Sequence, residues 1–189
     1  LVEARTAPSM AALLLKGNVL TIDPSSGGSS MPGYAICREG RFVENGELRL
    51  PKGSLIHHRL HTLQKAIQAL VDTHGPFDLL IHEDIALAFG AKGGASKGPK
   101  GSKGNPHGGF VTRGTTFLQW SVGVTLSAQP WPHVVRVAPQ SWWAWVRKNM
   151  PPDSYVKGDA TDALCMLCVV FHDILGRLPD GTTIEMLKS

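Results

Sequence analysis

The sequence predicts an α/β protein with one mixed five-stranded sheet and helices on its faces. Three observations predict it. Three strand-like runs follow one another through short turns. A long stretch with helical period then separates the third run from a fourth, which implies a crossover and a parallel pairing for strand four. Beyond it, helix and strand alternate to the end. A chain of 189 residues can hold one full core and is read as a single domain, 1–189.

Residues 1–12 are expected to be a peripheral tail without a signal-peptide pattern, with Met10 as the native start. The apolar run 13–22 becomes a buried strand from about Gly17 and stops at Asp23-Pro24, before a Gly/Ser loop. Residues 33–37 and 41–48 are the second and third strands, joined by the Glu39-Gly40 turn. Ser54 is a candidate N-cap for a helix over 55–73, whose stripe is Leu60, Leu63, Ile67, Leu70 and Val71. Gly75-Pro76 breaks that helix, and 77–82 is strand four, ending in Glu83-Asp84.

Residues 90–109 are the compositional outlier, with eight glycines, four lysines, two prolines and no acid. The segment reads either as a solvated loop or, as favoured, a mobile basic loop that grips phosphates through Lys92, Lys97, Lys100 and Lys103. It contains no phosphate-binding P-loop pattern. A helix follows over 112–128, then a strand at 133–137 and a short helix from Pro139 to about Asn149. In the first helix Phe117, Trp120 and Val124 can face the sheet, while Thr116, Leu118 and Thr125 can meet a partner. The last helix opens near Gly158 and is apolar for about fifteen residues, as in a buried helix. Residues 177–189 read as a tail.

Composition narrows the function. Apolar content of 42% and charged content of 18% suit a soluble globular protein. The net charge is only +4, but 90–113 is purely basic and ends in Arg113, so a polyanion is the expected partner. Three cysteines, an odd number, exclude a disulfide scaffold and suit a reducing, intracellular compartment. Cys165 and Cys168 lie inside the apolar helix, so buried thiols are expected rather than zinc ligands. No segment is apolar enough to span a membrane, and no organic cofactor is implied.

The chemistry centres on acids. Asp23 ends strand one and Glu83 ends strand four; if these strands are neighbours, both acids stand at one edge. Asp159 and Asp162, at i and i+3, share a face that can dock there; on their own they also fit an N-cap pattern. Four carboxylates in one place repel unless divalent cations neutralise them, and oxygen ligands suit Mg²⁺ or Mn²⁺. A pair of such ions is a device for phosphodiester hydrolysis.

The same residues carry a resemblance. Val19-Leu20-Thr21-Ile22-Asp23-Pro24 with Gly33-Tyr34, then Ile81-His82-Glu83, Arg113-Gly114 and Val137-Ala138-Pro139 stand in the order found in RuvC-type Holliday-junction resolvases. Lys157-Gly158-Asp159-Ala160-Thr161-Asp162-Ala163-Leu164 closely resembles their last acidic motif. The resemblance spans about 17–175. It implies a ribonuclease H-like fold and a Mg²⁺-dependent homodimer that cleaves four-way junctions in DNA; the alternatives are another ribonuclease H-like nuclease, acting on RNA–DNA hybrids, flaps or packaged DNA, and a non-catalytic basic DNA-binding module. It assigns metal binding to Asp23, Glu83, Asp159 and Asp162, with two ions expected there; Arg113 and Lys157 are expected to join the four lysines in contacting DNA. Ser25 departs from the usual Gly, 148–157 is short and the basic loop is long, as in divergent viral members.

Other residues have two readings. His57 and His61 form either a metal pair or part of a solvated helix face, the latter favoured. His82 is core or a support for the acids, and Asp84 competes with Glu83, which strand alternation favours. Trp142, Trp143 and Trp145 either stack on bases or pack, at least two being expected in the core. Phe89 is a junction wedge or core, and His172 a core residue or a C-terminal charge.

Overall fold

The computed structural model describes residues 8–24, 31–52, 54–84, 113–150 and 158–187. The elements are α1 (Met10–Lys16), β1 (Asn18–Asp23), β2 (Gly33–Arg38), β3 (Arg41–Glu47), α2 (Ile56–His74), β4 (Leu79–Glu83), α3 (Arg113–Ser127), β5 (His133–Val137), α4 (Pro139–Asn149) and α5 (Asp159–Leu175). The sheet order is β3-β2-β1-β4-β5. The first three strands form the expected antiparallel meander. β4 pairs in parallel with β1, and β5 in parallel with β4, as the helical crossovers require.

Strand alternation divides the core in two. Val19, Ala35, Cys37, Leu79 and Ile81 face α5, together with Leu14 of α1 and Trp142, Trp145 and Val146 of α4. Leu20, Ile22, Ile36 and Leu80 face α2 through Leu63, Ile67 and Leu70. Every residue of α5 from Thr161 to Phe171 is buried, which explains its nearly uninterrupted apolar sequence. The thiols of Cys37, Cys165 and Cys168 are free and buried.

The structure corrects several expectations. Residues 10–12 are not tail but the first turn of α1, capped by the Ser9 hydroxyl, which accepts from Ala12 N–H at 3.2 Å. Residues 178–187 are not peripheral. Phe42 N–H donates to the Asp180 carbonyl and Asp180 N–H to the Gly40 carbonyl, both at 2.8 Å, and Leu187 is fully buried. Ser54 does not cap α2; its hydroxyl donates to the Pro51 carbonyl, and Leu55 stands at the cap without a side-chain bond. Asp159 does not cap α5. Gly158 holds that place, and its carbonyl accepts from Asp162 N–H at 2.8 Å.

Helix α3 is rotated from its expected setting. It packs on α2, with Ser121 and Thr125 buried and Val124 partly buried. Trp120, expected to face the sheet, is 51% exposed. The Thr125 hydroxyl tolerates burial because its Oγ1 donates to the Ser121 carbonyl within the helix, at 2.8 Å. The side chains of Arg113, Thr116, Phe117 and Leu118 lie outside the described residues, as do Ser25, Phe89, Lys157 and the whole 90–109 segment.

Candidate active site

Register brings the acids together. Ile22 is paired with His82 across parallel strands, so the next residues, Asp23 and Glu83, end β1 and β4 side by side. Alternation puts Thr21 and Asp23, and Ile81 and Glu83, on the face that α5 covers. Asp23 and Asp162 are each only 8% exposed. Asparagine 45 secures the first turn of α5 from the sheet, since Asn45 Nδ2 donates to the Ala160 carbonyl at 3.1 Å.

The electrostatics join two of these groups. Burial raises the Glu83 pKa, and the indole N–H of Trp142, donating to Glu83 Oε1 at 3.2 Å, opposes that rise. Burial, and then the negative charge of Glu83, push Asp162 up to about 7. Burial and Asp162 in turn push the Cys165 thiol up to about 12. A carboxyl group whose ionisation is opposed by a neighbouring carboxylate is held there against repulsion. One buried hydroxyl, Thr21 Oγ1, sits on this face one pleat before Asp23 and has no hydrogen-bond partner among the described residues.

Asp159 opens α5 three residues before Asp162, but its side chain lies outside the described residues. Among the described residues, no three Asp, Glu, His or Cys side chains close into a metal cluster by themselves. The donor set nonetheless fits a hard divalent cation. It is all oxygen, it is largely buried, and its acids repel one another until positive charge is added.

Neighbouring residues fall on one reading or the other. Asp84 points away from this face; its N–H bonds the Val137 carbonyl and its carboxylate lies 3.9 Å from Arg136. His82 is buried on the α2 side. Its Nδ1 lies 2.7 Å from the Glu83 carbonyl, which can only accept, so Nδ1 carries the proton. Burial lowers its pKa. His57 and His61 are exposed on α2. Trp142 and Trp145 are core, and His172 packs edge-on against Trp145 with ring centroids 5.9 Å apart. Sequence reasoning missed the Trp142 bond to Glu83 and the Asn45 tether. Both join residues far apart in the chain, and no local pattern signals either.

Known proteins show likenesses in sequence and in fold. No family model matches the chain. The crossover junction endodeoxyribonuclease RuvC of Pseudomonas aeruginosa, in three strains, is 34% identical over 89 residues, covering 41% of this chain and 49% of the relative. The chain thus matches about half the length of these curated relatives. The structure of T. thermophilus RuvC in complex with a Holliday junction substrate superposes with a TM-score of 0.53 at 12% identity, over 86% of this chain and 98% of that one. The resemblance to RuvC-type resolvases is borne out in sequence over part of the chain, and the ribonuclease H-like fold over most of it.

Proposed function

We propose that this chain is a divalent-metal-dependent, structure-selective DNA endonuclease that cleaves four-way junctions as a homodimer. One observation carries the reading: Asp23 and Glu83 end adjacent parallel strands under α5, where the charge of Glu83 adds to the burial that opposes ionisation of Asp162. The similarity to RuvC, a crossover junction endodeoxyribonuclease, supports branched DNA as the substrate.

Asp23, Glu83, Asp159 and Asp162 would hold two Mg²⁺ ions, with Mn²⁺ able to substitute. Bound there, the ions supply the Lewis acidity that phosphodiester hydrolysis needs and the positive charge that balances the acids. The protein does the rest. Trp142 holds one Glu83 oxygen in place, so the carboxylate keeps one orientation on the site. The packing of α5 limits water around Asp162. Lys92, Lys97, Lys100, Lys103, Arg113 and Lys157 would neutralise phosphates of the arms. On the outward side of α3, Trp120 and Leu126 are exposed with Gly123 between them, an apolar face that suits a second copy of the chain.

The test is cleavage of four-way, flap and RNA–DNA hybrid substrates with and without Mg²⁺. Junction cutting is expected only with the metal. Asp23→Asn and Glu83→Gln are expected to lower it by roughly a hundredfold or more while metal-free junction binding persists. Near-normal cutting by either variant would remove the metal model. Cutting of hybrids but not junctions would mark a different ribonuclease H-like nuclease.

A further inference from the structure

Helix α4 carries a second feature beside the acids. Pro139, Gln140, Trp143, Ala144 and Arg147 line an open cleft of about 300 Å³. Their spacing of i, i+1, i+4, i+5 and i+8 groups them along one side of the helix, starting at its first turn. That turn follows directly from β5, which runs parallel to β4 and ends beside Glu83. The Trp143 ring stacks on Trp142, with centroids 4.6 Å apart and planes 24° apart. Trp142 in turn donates to Glu83. The cleft is therefore one indole away from the acidic centre.

Its chemistry is specific. Trp143 is partly buried against the core and still lines the cleft, so it offers a rigid aromatic surface. Gln140 is exposed and has both donor and acceptor groups for a base edge. Arg147 is exposed one turn beyond Trp143, and Lys148 follows it. No acidic residue occurs in α4. An aromatic platform, an amide and a guanidinium in one positive cleft complement a base with its phosphate. Paired bases are already stacked and cannot use such a platform.

We propose that Gln140, Trp143 and Arg147 form a docking site for an unpaired nucleotide of the DNA, next to the acidic centre. This rests on the reading of the chain as a DNA nuclease. The base stacks on Trp143, the Gln140 amide meets its edge, and Arg147 pairs with the phosphate.

The test uses the full chain without divalent metal. The probe is a four-way DNA with unpaired nucleotides at its centre, one of them 2-aminopurine; a fully paired duplex is the comparison. Wild type is expected to quench the aminopurine. Trp143→Ala is expected to lose the quenching and bind the unpaired probe roughly tenfold more weakly, with duplex binding changed less than about twofold. Trp143→Phe is expected to restore most of both signals. Arg147→Gln, on the surface, leaves the core intact and should lower the salt slope by nearly one phosphate's worth, about 0.7 for a single strand. Equal losses on both DNAs, or an unchanged slope in Arg147→Gln, would overturn the proposal. Failure of wild type to bind any DNA would overturn the nuclease reading and this inference with it. Binding by wild type with no selective loss in the variants overturns this inference alone.

Discussion

Asp162 makes the protein's own stability a reporter of the site. Its carboxyl rises from an ordinary 3.8 to about 7 in the fold, because it is buried and faces Glu83. Between those values the folded state keeps a proton that the unfolded chain has released. Stability contributed by the neutral acid is fully present below about 3.8 and is lost as pH rises through about 7. A shift of this size corresponds to a few kcal/mol at most, on the order of 1.4 kcal/mol per unit. The metal-free protein is therefore expected to melt at a higher temperature at pH 5 than at pH 8. Asp162→Asn should flatten that difference, and Mg²⁺ added at pH 8 should raise the melting temperature of the wild type. Calorimetry across this pH range checks all three outcomes. A melting temperature that rises steadily from pH 5 to pH 8 without metal would contradict the pairing of Asp162 with Glu83.

At the scale of elements, each part of the site has a different anchor. β1 and β4 deliver Asp23 and Glu83 through register, and α5 delivers Asp162 through burial and the Asn45 tether. In sequence the basic segment 90–109 falls between β4, which ends at Glu83, and α3, which starts at Arg113. Its four lysines are expected to act on affinity and not on chemistry. Replacing Lys92, Lys97, Lys100 and Lys103 by Ala should weaken junction binding and flatten its salt dependence. Each lysine that neutralises a phosphate accounts for about 0.9 in the log–log slope on duplex DNA. Binding isotherms at several salt concentrations read the slope directly. An unchanged slope would make the segment a solvated connection only.

At the scale of the whole molecule, the described residues hold one acidic centre, while the proposed cleavage of a four-way junction needs cuts on two opposing strands. Two-fold pairing of chains answers that need, and α3 has the surface for it. With α3 turned so that Ser121 and Thr125 are buried on its α2 side, Trp120 and Leu126 are left outside. Light scattering at micromolar concentration is expected to give a dimer. Trp120→Lys should give a monomer whose melting temperature is nearly unchanged, because that ring is 51% exposed. On a labelled junction the dimer should leave paired nicks on opposing strands, and the variant single ones. A wild-type monomer in this measurement would remove the two-fold model.

By itself the sequence determined the order of strands and helices from β1 to α5, though not α1, together with the parallel pairing of β4, the buried α5 and the acids at the ends of β1 and β4. These follow from local periods, short turns and the length of a crossover, which act on neighbouring residues. Strand alternation was likewise enough to prefer Glu83 over Asp84. Only the tertiary structure decided which side of α3 is buried. Its sequence is apolar on several sides, and it packs on α2 with Ser121 and Thr125 buried. It also decided that 178–187 docks beside the β2–β3 turn through backbone bonds of Asp180, with Leu187 buried. The Trp142 bond to Glu83 and the lifted Asp162 carboxyl have the same origin. Each depends on groups brought together across long stretches of chain, and burial then sets the strength of their interaction.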